Sequence, residues 1–260
     1  MAITLRSRRE IELMRQAGVV VADVLSELQR IAAPGVTTAD LDGVALRMAA
    51  DAGAEALFKG VRSPHARRPF PGVICASVND EVVHGIPSDK TTLKAGDILS
   101  IDFGVRLNGY CGDAAVTVPI GGISDGNRRL VEVTREVLGI AISTVRPGLR
   151  WSQIAAKMQD RAESAGFSVV RDFVGHGIGS RMHEDPKVPN FVSDELLADD
   201  ILLTEGMVIA VEPMVNAGGY AVRTLGNGWT VVTKDGKCSA HFEHTLAVVK
   251  GGCEVLTRER

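Results

Sequence analysis

The sequence of this 260-residue chain repeats itself, and the repeat limits the folds that the chain can adopt. The segment PGVTTADLDGVALRMAADAG, from Pro34, is similar to PGLRWSQIAAKMQDRAESAG, from Pro147, at an offset of 113 residues without a gap. Further along, AGDILSIDFG (95–104) matches EGMVIAVEPM (205–214) at an offset of 110 residues. Similar segments in the same order indicate duplicated units that pack against each other. We therefore predict two related α/β halves.

Local patterns place helices and strands in the first half. Ser7 and Glu10 form the S-x-x-E pattern of a capping box, so a first helix should begin there and end before Pro34-Gly35. A second helix should follow Thr37 and end near Gly53. Strands are predicted over 72–79, 97–107 and 110–119.

The composition is that of an ordinary globular protein, with 45% hydrophobic and 23% charged residues. No stretch has the composition of a flexible linker, so we predict one domain, 1–260, with halves of approximately 1–122 and 123–260. A formal net charge of −3 gives no electrostatic reason to bind DNA or an anionic membrane. There is no long apolar run, no signal-peptide pattern and no CxxC pair among the four cysteines, so we expect a cytoplasmic protein with reduced thiols.

Two aspartates stand inside predicted strands, in LSIDFGVRLNGYCGDAAVTV (99–118). Asn108-Gly109 predicts a two-residue hairpin turn, which would place Asp102 opposite Ala115 and make Asp113 its diagonal neighbour. Diagonal neighbours lie about 7–8 Å apart at Cα, close enough for both carboxylates to reach a shared pair of ions. An unpaired buried carboxylate is costly, so each aspartate should have a partner, a proton or a metal.

The repeat supplies two further carboxylates at equivalent positions. Glu212 matches Asp102, and Glu243 in FEHTLAV matches Asp113 in GDAAVTV. A single acid in a strand is more often a surface or salt-bridge residue. Four acids among apolar neighbours would repel one another where they converge, unless a cation lies between them. We predict that these four carboxylates bind metal.

Three histidines stand beside Gly or Pro turns, as residues at the rim of a site do: His84 in VVHGIP, His176 in VGHGIGS and His183 in RMHEDP. The G-x-G-x-G spacing around His176 is not a dinucleotide-binding fingerprint. An isolated histidine is more often structural, but a carboxylate cluster needs a nitrogen donor. By strand alternation His241 should share the face of Glu243, near the metals, and His244 should point away.

Several motifs together resemble those of type I methionine aminopeptidases in their short bacterial form. They are VVHGIP, IDFG…GYCGD, GHGIG…HEDP, EPMVNAG, GNGWTV and DGKCSAHFEHT, within a resemblance that extends from REIELMRQAG to CEVLT. The resemblance implies the pita-bread fold, an α/β fold with two pseudo-two-fold related halves around a central antiparallel sheet. It also implies removal of the initiator methionine from nascent proteins whose second residue is small.

The resemblance also implies residue roles, position by position. Five residues would bind two divalent metal ions: Asp102, Asp113, His176, Glu212 and Glu243. His84 and His183 would be catalytic residues that contact the substrate, and Glu212 would also accept a proton from the attacking water. Four residues would line the methionine pocket: Phe70, Cys75, Met182 and Trp229.

The implied mechanism is metal-assisted hydrolysis of the first peptide bond. One imidazole and four carboxylates suit Mn²⁺, Fe²⁺, Co²⁺ or Zn²⁺, and a water activated by two such ions would attack the scissile carbonyl. One ion would bind the free α-amine, and His84 and His183 would donate hydrogen bonds to the oxyanion. The substrate would be the N-terminal methionine of nascent polypeptides. We expect a monomer in transient contact with the ribosome.

Two alternatives stay open. An X-Pro aminopeptidase or prolidase would have the same fold, although such enzymes usually carry an additional N-terminal domain. A non-catalytic pita-bread binding module should lack the ligands. One loop departs from the family pattern, since SPHARRPFP (63–71) stands where the family often has GYHGYP, so the tyrosines expected in the pocket wall are missing. Met182 stands where an aromatic residue is common, and His241 where Gln is common.

Overall fold

The structure is a computed structural model, and it describes residues 3–258. The helices of this part of the chain are α1 (Arg8–Ile31), α2 (Thr38–Asp51), α3 (Asp125–Thr144), α4 (Trp151–Ser164) and α5 (Asp194–Ala198). The strands of the first half are β1 (Glu55–Ala56), β2 (Cys75–Val78), β3 (Glu81–Val83), β4 (Ile98–Leu107) and β5 (Tyr110–Pro119). Those that follow are β6 (Ser168–Val169), β7 (Gly175–Gly177), β8 (Glu184–Val188), β9 (Val208–Val211), β10 (Met214–Asn216), β11 (Val222–Thr224), β12 (Val231–Thr233), β13 (Ser239–His241), β14 (Glu243–Val249) and β15 (Gly252–Val255).

The first two helices begin where the capping patterns predict. The Ser7 hydroxyl accepts a hydrogen bond from the Glu10 N–H, and the Glu10 carboxylate accepts one from the Ser7 N–H. This reciprocal pair satisfies two of the N–H groups that the start of a helix leaves without partners. Thr37 and Asp40 do the same for α2, which ends two residues before Gly53.

The helix repeat is confirmed. Helices α2 and α4 each have 14 residues, and both their first and last residues are separated by the predicted 113 positions. Helix α1 packs on β4 and β5, while α3 packs on α4, β14 and β15. Each half therefore covers its own part of the sheet with a long helix. None of the helices within residues 3–258 is both long and apolar enough to cross a membrane.

The main sheet is arranged around a central pair of strands. Its order is β1-β4-β5-β14-β9-β7-β8, with β2 added on β4 and β15 on β14. Strands β5 and β14 meet at the centre, β4 and β9 flank them, and β2 and β7 pair with β4 and β9. All these pairs are antiparallel, as the predicted fold requires. The ladder across the centre has two residue pairs, Glu243 with Ala115 and His244 with Ala114.

The β4–β5 hairpin has the predicted register. Asn108 and Gly109 have φ values of 52° and 83°, the two positive values that a type I′ turn needs. Asp102 pairs with Ala115, and Gly104 pairs with Asp113, so the two aspartates are diagonal neighbours. Strand β2, however, is shorter than the predicted 72–79. The reason is that the N–H groups of Val73 and Ile74 donate to Asp42 Oδ1, at 2.7 and 3.0 Å, instead of to a neighbouring strand.

Alternation along the strands separates the core from the site. Leu99, Ile101 and Phe103 of β4 are fully buried in the apolar cluster under α1 and α2. Asp102 lies between two of these residues, so its side chain points to the opposite face. A second cluster under α3 and α4 contains Ile209 and Val211, which directly precedes Glu212. The two cores thus direct acidic side chains from both halves to the same open face of the sheet.

Candidate active site

The sequence-predicted site residues lie along one cavity of about 120 Å³. It brings together His84, His176, His183, Asp102, Asp113, Glu212, Glu243, Phe70, Cys75, Met182 and Trp229. Two further lining residues, Phe58 and Val61, were not predicted. In the sequence they stand out only as apolar residues just before the Pro- and Arg-rich loop.

His176 lies at the middle of β7, facing the carboxylates. Its Nε2 is 3.8 Å from Asp113 Oδ2 and 3.7 Å from Glu212 Oε1. Its Nδ1 lies 2.9 Å from the Gly177 carbonyl oxygen, which fixes Nδ1 as the protonated nitrogen and leaves Nε2 with a free lone pair. Burial, together with the nearby His183, lowers the pKa of His176 to about 4, so the imidazole is neutral and able to bind a metal.

The glycines around His176 allow its strand to fit between two neighbours. A Cβ atom at Gly175 would lie 2.3 Å from the Ala210 carbonyl oxygen of β9. A Cβ atom at Gly177 would lie 2.1 Å from the Asp185 carbonyl oxygen of β8. Only glycine permits such close approach of the backbones. The two glycines therefore allow β7 to pack between β8 and β9, with the His176 imidazole directed into the cavity.

Asp113 and Glu243 are buried, Asp102 and Glu212 are partly buried, and the four carboxylates have too few hydrogen-bond or ion-pair partners for four charges. Burial raises the pKa of Asp102 to about 7. Burial, and then the charge of Asp102, raise the pKa values of Asp113 and Glu212 well above their usual range. Burial and the other three acids do the same to Glu243. The cluster therefore needs protons or a cation to offset its charge.

The unpaired atoms of the cluster fit a divalent cation. Asp102 Oδ1, Asp113 Oδ1 and Glu243 Oε1 are buried and have no hydrogen-bond partner among residues 3–258. One atom each of Asp113, His176 and Glu243 lies within 4.8 Å of the others. Buried polar atoms without partners are rare in proteins, and oxygen atoms with one imidazole nitrogen form a donor set typical of first-row transition metals. The residues present are thus suited to bind divalent metal.

His84 and His183 lie on the rim beside this cluster. The His183 ring centroid is 4.4 Å from that of His176. His84 has a φ of 58°, in the left-handed region that non-glycine residues rarely adopt and that is common at functional sites. Burial, and then the nearby His183, lower the pKa of His84 to about 4, and burial lowers that of His183. Both rings are neutral near pH 7, so each can donate one N–H.

An apolar pocket adjoins the carboxylates. Phe58, Phe70 and Cys75 are buried in one cluster, with Met182 and Trp229 packed against it. The Phe70 and Trp229 rings meet edge to face at 5.3 Å. Burial, with the charges of Asp102 and Asp113, raises the pKa of the Cys75 thiol well above its usual range, so it acts as a small neutral side chain. Trp229 Nε1 donates to the Arg68 carbonyl oxygen at 3.0 Å and ties the altered loop to the pocket.

The two histidines that flank Glu243 behave as strand alternation predicts. His241 is buried, and its Nε2 lies 3.9 Å from Glu212 Oε2. Burial lowers the pKa of His241 to about 3, so it too is neutral. His244 points away, and its Nδ1 lies 2.9 Å from Thr257 Oγ1. His65 is exposed on the 63–71 loop and takes no part in the cavity.

Comparisons with known proteins agree with this geometry. The model of metallopeptidase family M24 matches residues 12–250. The chain is 47% identical to Methionine aminopeptidase 1 of Bacillus subtilis over 256 residues, covering 98% of this chain and 99% of that protein. It is similar to the crystal structure of a methionine aminopeptidase from Thermotoga maritima, with a TM-score of 0.93 and 40% identity over 99% and 100% of the two chains.

A prolidase from Pyrococcus furiosus is similar in fold, with a TM-score of 0.77 at 20% identity, and this chain covers 66% of it. In contrast, the matches to the bacterial aminopeptidases cover nearly the full length of both chains, at a far higher sequence identity. These likenesses confirm the predicted pita-bread fold and the resemblance found in the sequence motifs. The chain belongs to metallopeptidase family M24 and, within it, to the methionine aminopeptidases.

Proposed function

We propose that this chain is a metal-dependent aminopeptidase that removes the N-terminal methionine of nascent proteins when the second residue is small. One observation carries the proposal: a buried carboxylate and imidazole cluster opens directly into a pocket of sulfur and aromatic side chains. Such a pocket suits a methionine thioether, because sulfur packs well against aromatic rings. The names of the relatives support the same activity.

The proposed ligands of two divalent ions are Asp102, Asp113, His176, Glu212 and Glu243. The ions would be Mn²⁺, Fe²⁺, Co²⁺ or Zn²⁺. A divalent metal centre supplies Lewis-acid polarisation and activates water near neutral pH. Of the chain's own residues, Glu212 would receive the proton of the water on its carboxylate, because this carboxylate lines the cavity and its Oε1 lies 3.7 Å from His176 Nε2, among the proposed metal ligands.

The two rim histidines would hold the peptide. His183 and His84 are neutral, and each has an N–H to donate to the oxygen of the scissile carbonyl. Donors of this kind are worth about 10²–10³ in rate, because they meet the charge that develops in the transition state. Phe70, Cys75 and Trp229 would hold the methionine side chain, and the walls of this narrow cavity would exclude bulky second residues.

The alternatives fit less well. This chain covers 66% of the prolidase, so about a third of the prolidase lies outside the match, and its low identity supports the fold alone. A non-catalytic module has no need for a complete and costly cluster of buried acids. We further propose that the enzyme is a cytoplasmic monomer in transient contact with the ribosome.

Hydrolysis of Met-Ala-Ser by the purified chain tests the proposal. Chelation with EDTA should abolish hydrolysis, and titration with each of the four metals should restore it at up to two ions per chain. Met-Ala and Met-Gly peptides should be cleaved much faster than Met-Leu or Met-Lys peptides. Full activity in metal-free protein, or cleavage of Ala-Pro peptides in preference to Met-Ala peptides, would overturn the proposal.

A further inference from the structure

The segment that precedes α1 reaches the turn that carries two of the site residues. We call residues 179–184 the 179–184 turn. Arg6 forms an ion pair with Glu184 at the end of this turn, and the two side chains are only 7% and 8% exposed. The Arg6 N–H also donates to the Gly206 carbonyl oxygen at 2.7 Å, which holds the segment against the body of the protein. Arg6 and Glu184 are 178 residues apart in sequence, so the pair is a purely tertiary contact.

Glu184 organises the turn from within. Its Oε1 accepts hydrogen bonds from the Arg181 N–H at 3.0 Å and from Ser180 Oγ at 3.4 Å. The Gly179 N–H donates to the Arg181 carbonyl oxygen at 3.0 Å, which closes the turn. The second carboxylate oxygen, Oε2, is the one that Arg6 holds. The position of this carboxylate, and so the shape of the turn, therefore depends on Arg6.

Gly179 leaves room for the guanidinium. A Cβ atom at this position would lie 1.9 Å from Arg6 Nη2, so any other residue would displace the Arg6 side chain. On its other side, Arg6 Nη1 lies 3.6 Å from Glu10 Oε1 of the α1 capping box. A continuous set of contacts thus connects the start of α1, through Arg6 and Glu184, to the 179–184 turn.

The turn presents Met182 to the apolar pocket and His183 to the rim of the carboxylate cluster. His183 directly precedes Glu184, and its ring lies against that of His176. We propose that Arg6 is a positioning residue: by holding Glu184, it fixes the 179–184 turn so that His183 meets the substrate's carbonyl oxygen. This inference rests on the proposed function for the role of His183, but not for the position of its ring.

Kinetics of single variants provide the first test. His183→Ala should lower kcat by about 10² or more with little change in KM, and metal content should stay near wild type. Arg6→Ala should lower kcat in the same way, because a displacement of about 1 Å can cost up to about 10²-fold. Arg6→Lys keeps the charge and should recover part of the loss. Arg15→Ala is the matched control, since Arg15 also connects α1 to a distant acid, Glu254, but does not touch the turn.

The double variant separates positioning from general stability. If Arg6 acts through His183, then Arg6→Ala should have no further effect on kcat in the His183→Ala background. Gly179→Ala should reproduce the Arg6→Ala effect and should not add to it. Multiplicative losses of kcat in the double variants, or a loss with Arg15→Ala as large as that with Arg6→Ala, would overturn the inference.

A readout without substrate keeps this test independent of the proposed activity. In metal-free protein with ¹⁵N-labelled histidine, the His183 imidazole signals can be assigned by their loss in His183→Ala. These signals should shift in Arg6→Ala protein, whereas those of His65 on the 63–71 loop should not. Unchanged His183 signals would refute the positioning role. If the His183 signals shift in Arg6→Ala protein but metal-loaded wild-type protein fails to cleave Met-Ala-Ser, the proposed function is refuted and the positioning role stays supported.

Discussion

The two halves of the molecule supply the candidate site with equal numbers of acids but unequal nitrogen donors. Asp102 and Glu212 occupy equivalent places in the repeat, and β2 pairs with β4 as β7 pairs with β9. In the second half His176 lies opposite Ala210; in the first half Ser77 lies opposite Ser100, the repeat partner of Ala210. The Ser77 hydroxyl accepts a hydrogen bond from the Gly85 N–H at 3.0 Å and is directed to the backbone.

This difference shows what two similar halves can and cannot provide. Two similar α/β halves bring four carboxylates together around the centre of the sheet, but a symmetric site would treat both ends of a substrate alike. His176, the imidazole proposed to bind metal, comes from the second half. The buried part of the apolar pocket, Phe58, Phe70 and Cys75, comes from the other. The orientation of a bound substrate is therefore set by the residues that differ between the two halves.

The prediction with the largest expected effect compares substitutions at the two unequal positions, His176 and Ser77. His176→Ala removes a proposed nitrogen ligand, so metal affinity and activity should both fall by more than about 100-fold, beyond what loss of an outer residue costs. Added metal should restore part of the activity. Ser77→Ala is the matched change in the other half and should leave metal affinity near wild type. Calorimetric metal titration with Met-Ala-Ser kinetics measures both, and equal effects would contradict the asymmetry.

A smaller effect is expected on the pocket side. The 63–71 loop lacks the tyrosines that the family often has there, although Phe70 still packs against Trp229. We expect the ratio of kcat/KM for Met over Leu or norleucine substrates to be lower than in a relative with GYHGYP, by about tenfold, which is the lower end of the effect of one methylene in a hydrophobic pocket. An equal or higher ratio here would show that the loop change is neutral.

The smallest effect concerns the helices that begin the two halves. Hydrogen bonds from Ser7 lower the pKa of Glu10 to about 2, whereas α3 is capped by Ser124 with the non-titrating Asn127 at the matching position. A lowered pKa in the folded state stabilises above pH 4.5, and the contribution is lost as the pH falls towards 2. Glu10→Gln should therefore lower the free energy of unfolding by about 1 kcal/mol or less at pH 6.

Urea unfolding of metal-free wild type and Glu10→Gln protein measures this difference. It should shrink between pH 4.5 and pH 2, while Asn127→Ala, the control in α3, should have the same effect at both pH values. A Glu10→Gln difference that does not depend on pH would contradict a titrating cap.

Local rules predicted the parts of the structure that local geometry decides. The Asn108-Gly109 turn and the period of two along a strand suffice to place Asp102 and Asp113 as diagonal neighbours and His241 on the face of Glu243. The repeat extended the prediction of site carboxylates to Glu212 and Glu243 in the second half. The division of the chain near residue 122 stays a prediction, as do the individual roles of the site residues.

Long-range contacts were not predictable from the same rules. Phe58 and Val61 enter the pocket only because a loop folds back over the sheet, and their sequence context resembles that of any apolar pair. The Arg6–Glu184 pair joins residues 178 positions apart, and either residue could have been an ordinary surface charge. Strand β2 was predicted too long because the Asp42 side chain replaces a strand as the hydrogen-bond partner.

The short ladder between β5 and β14 has a thermodynamic consequence. Only two residue pairs join the strands there, with the Thr117 and Thr245 hydroxyls each bonded to the opposite backbone at either end. The proposed ligands lie on both sides of the β5–β14 ladder, so bound metal would hold the two halves together. Binding that is exclusive to the folded state adds about 2.7 kcal/mol at a ligand concentration of 100 times Kd. The supply of metal in the cell would then set the free energy of unfolding of the enzyme as well as its activity.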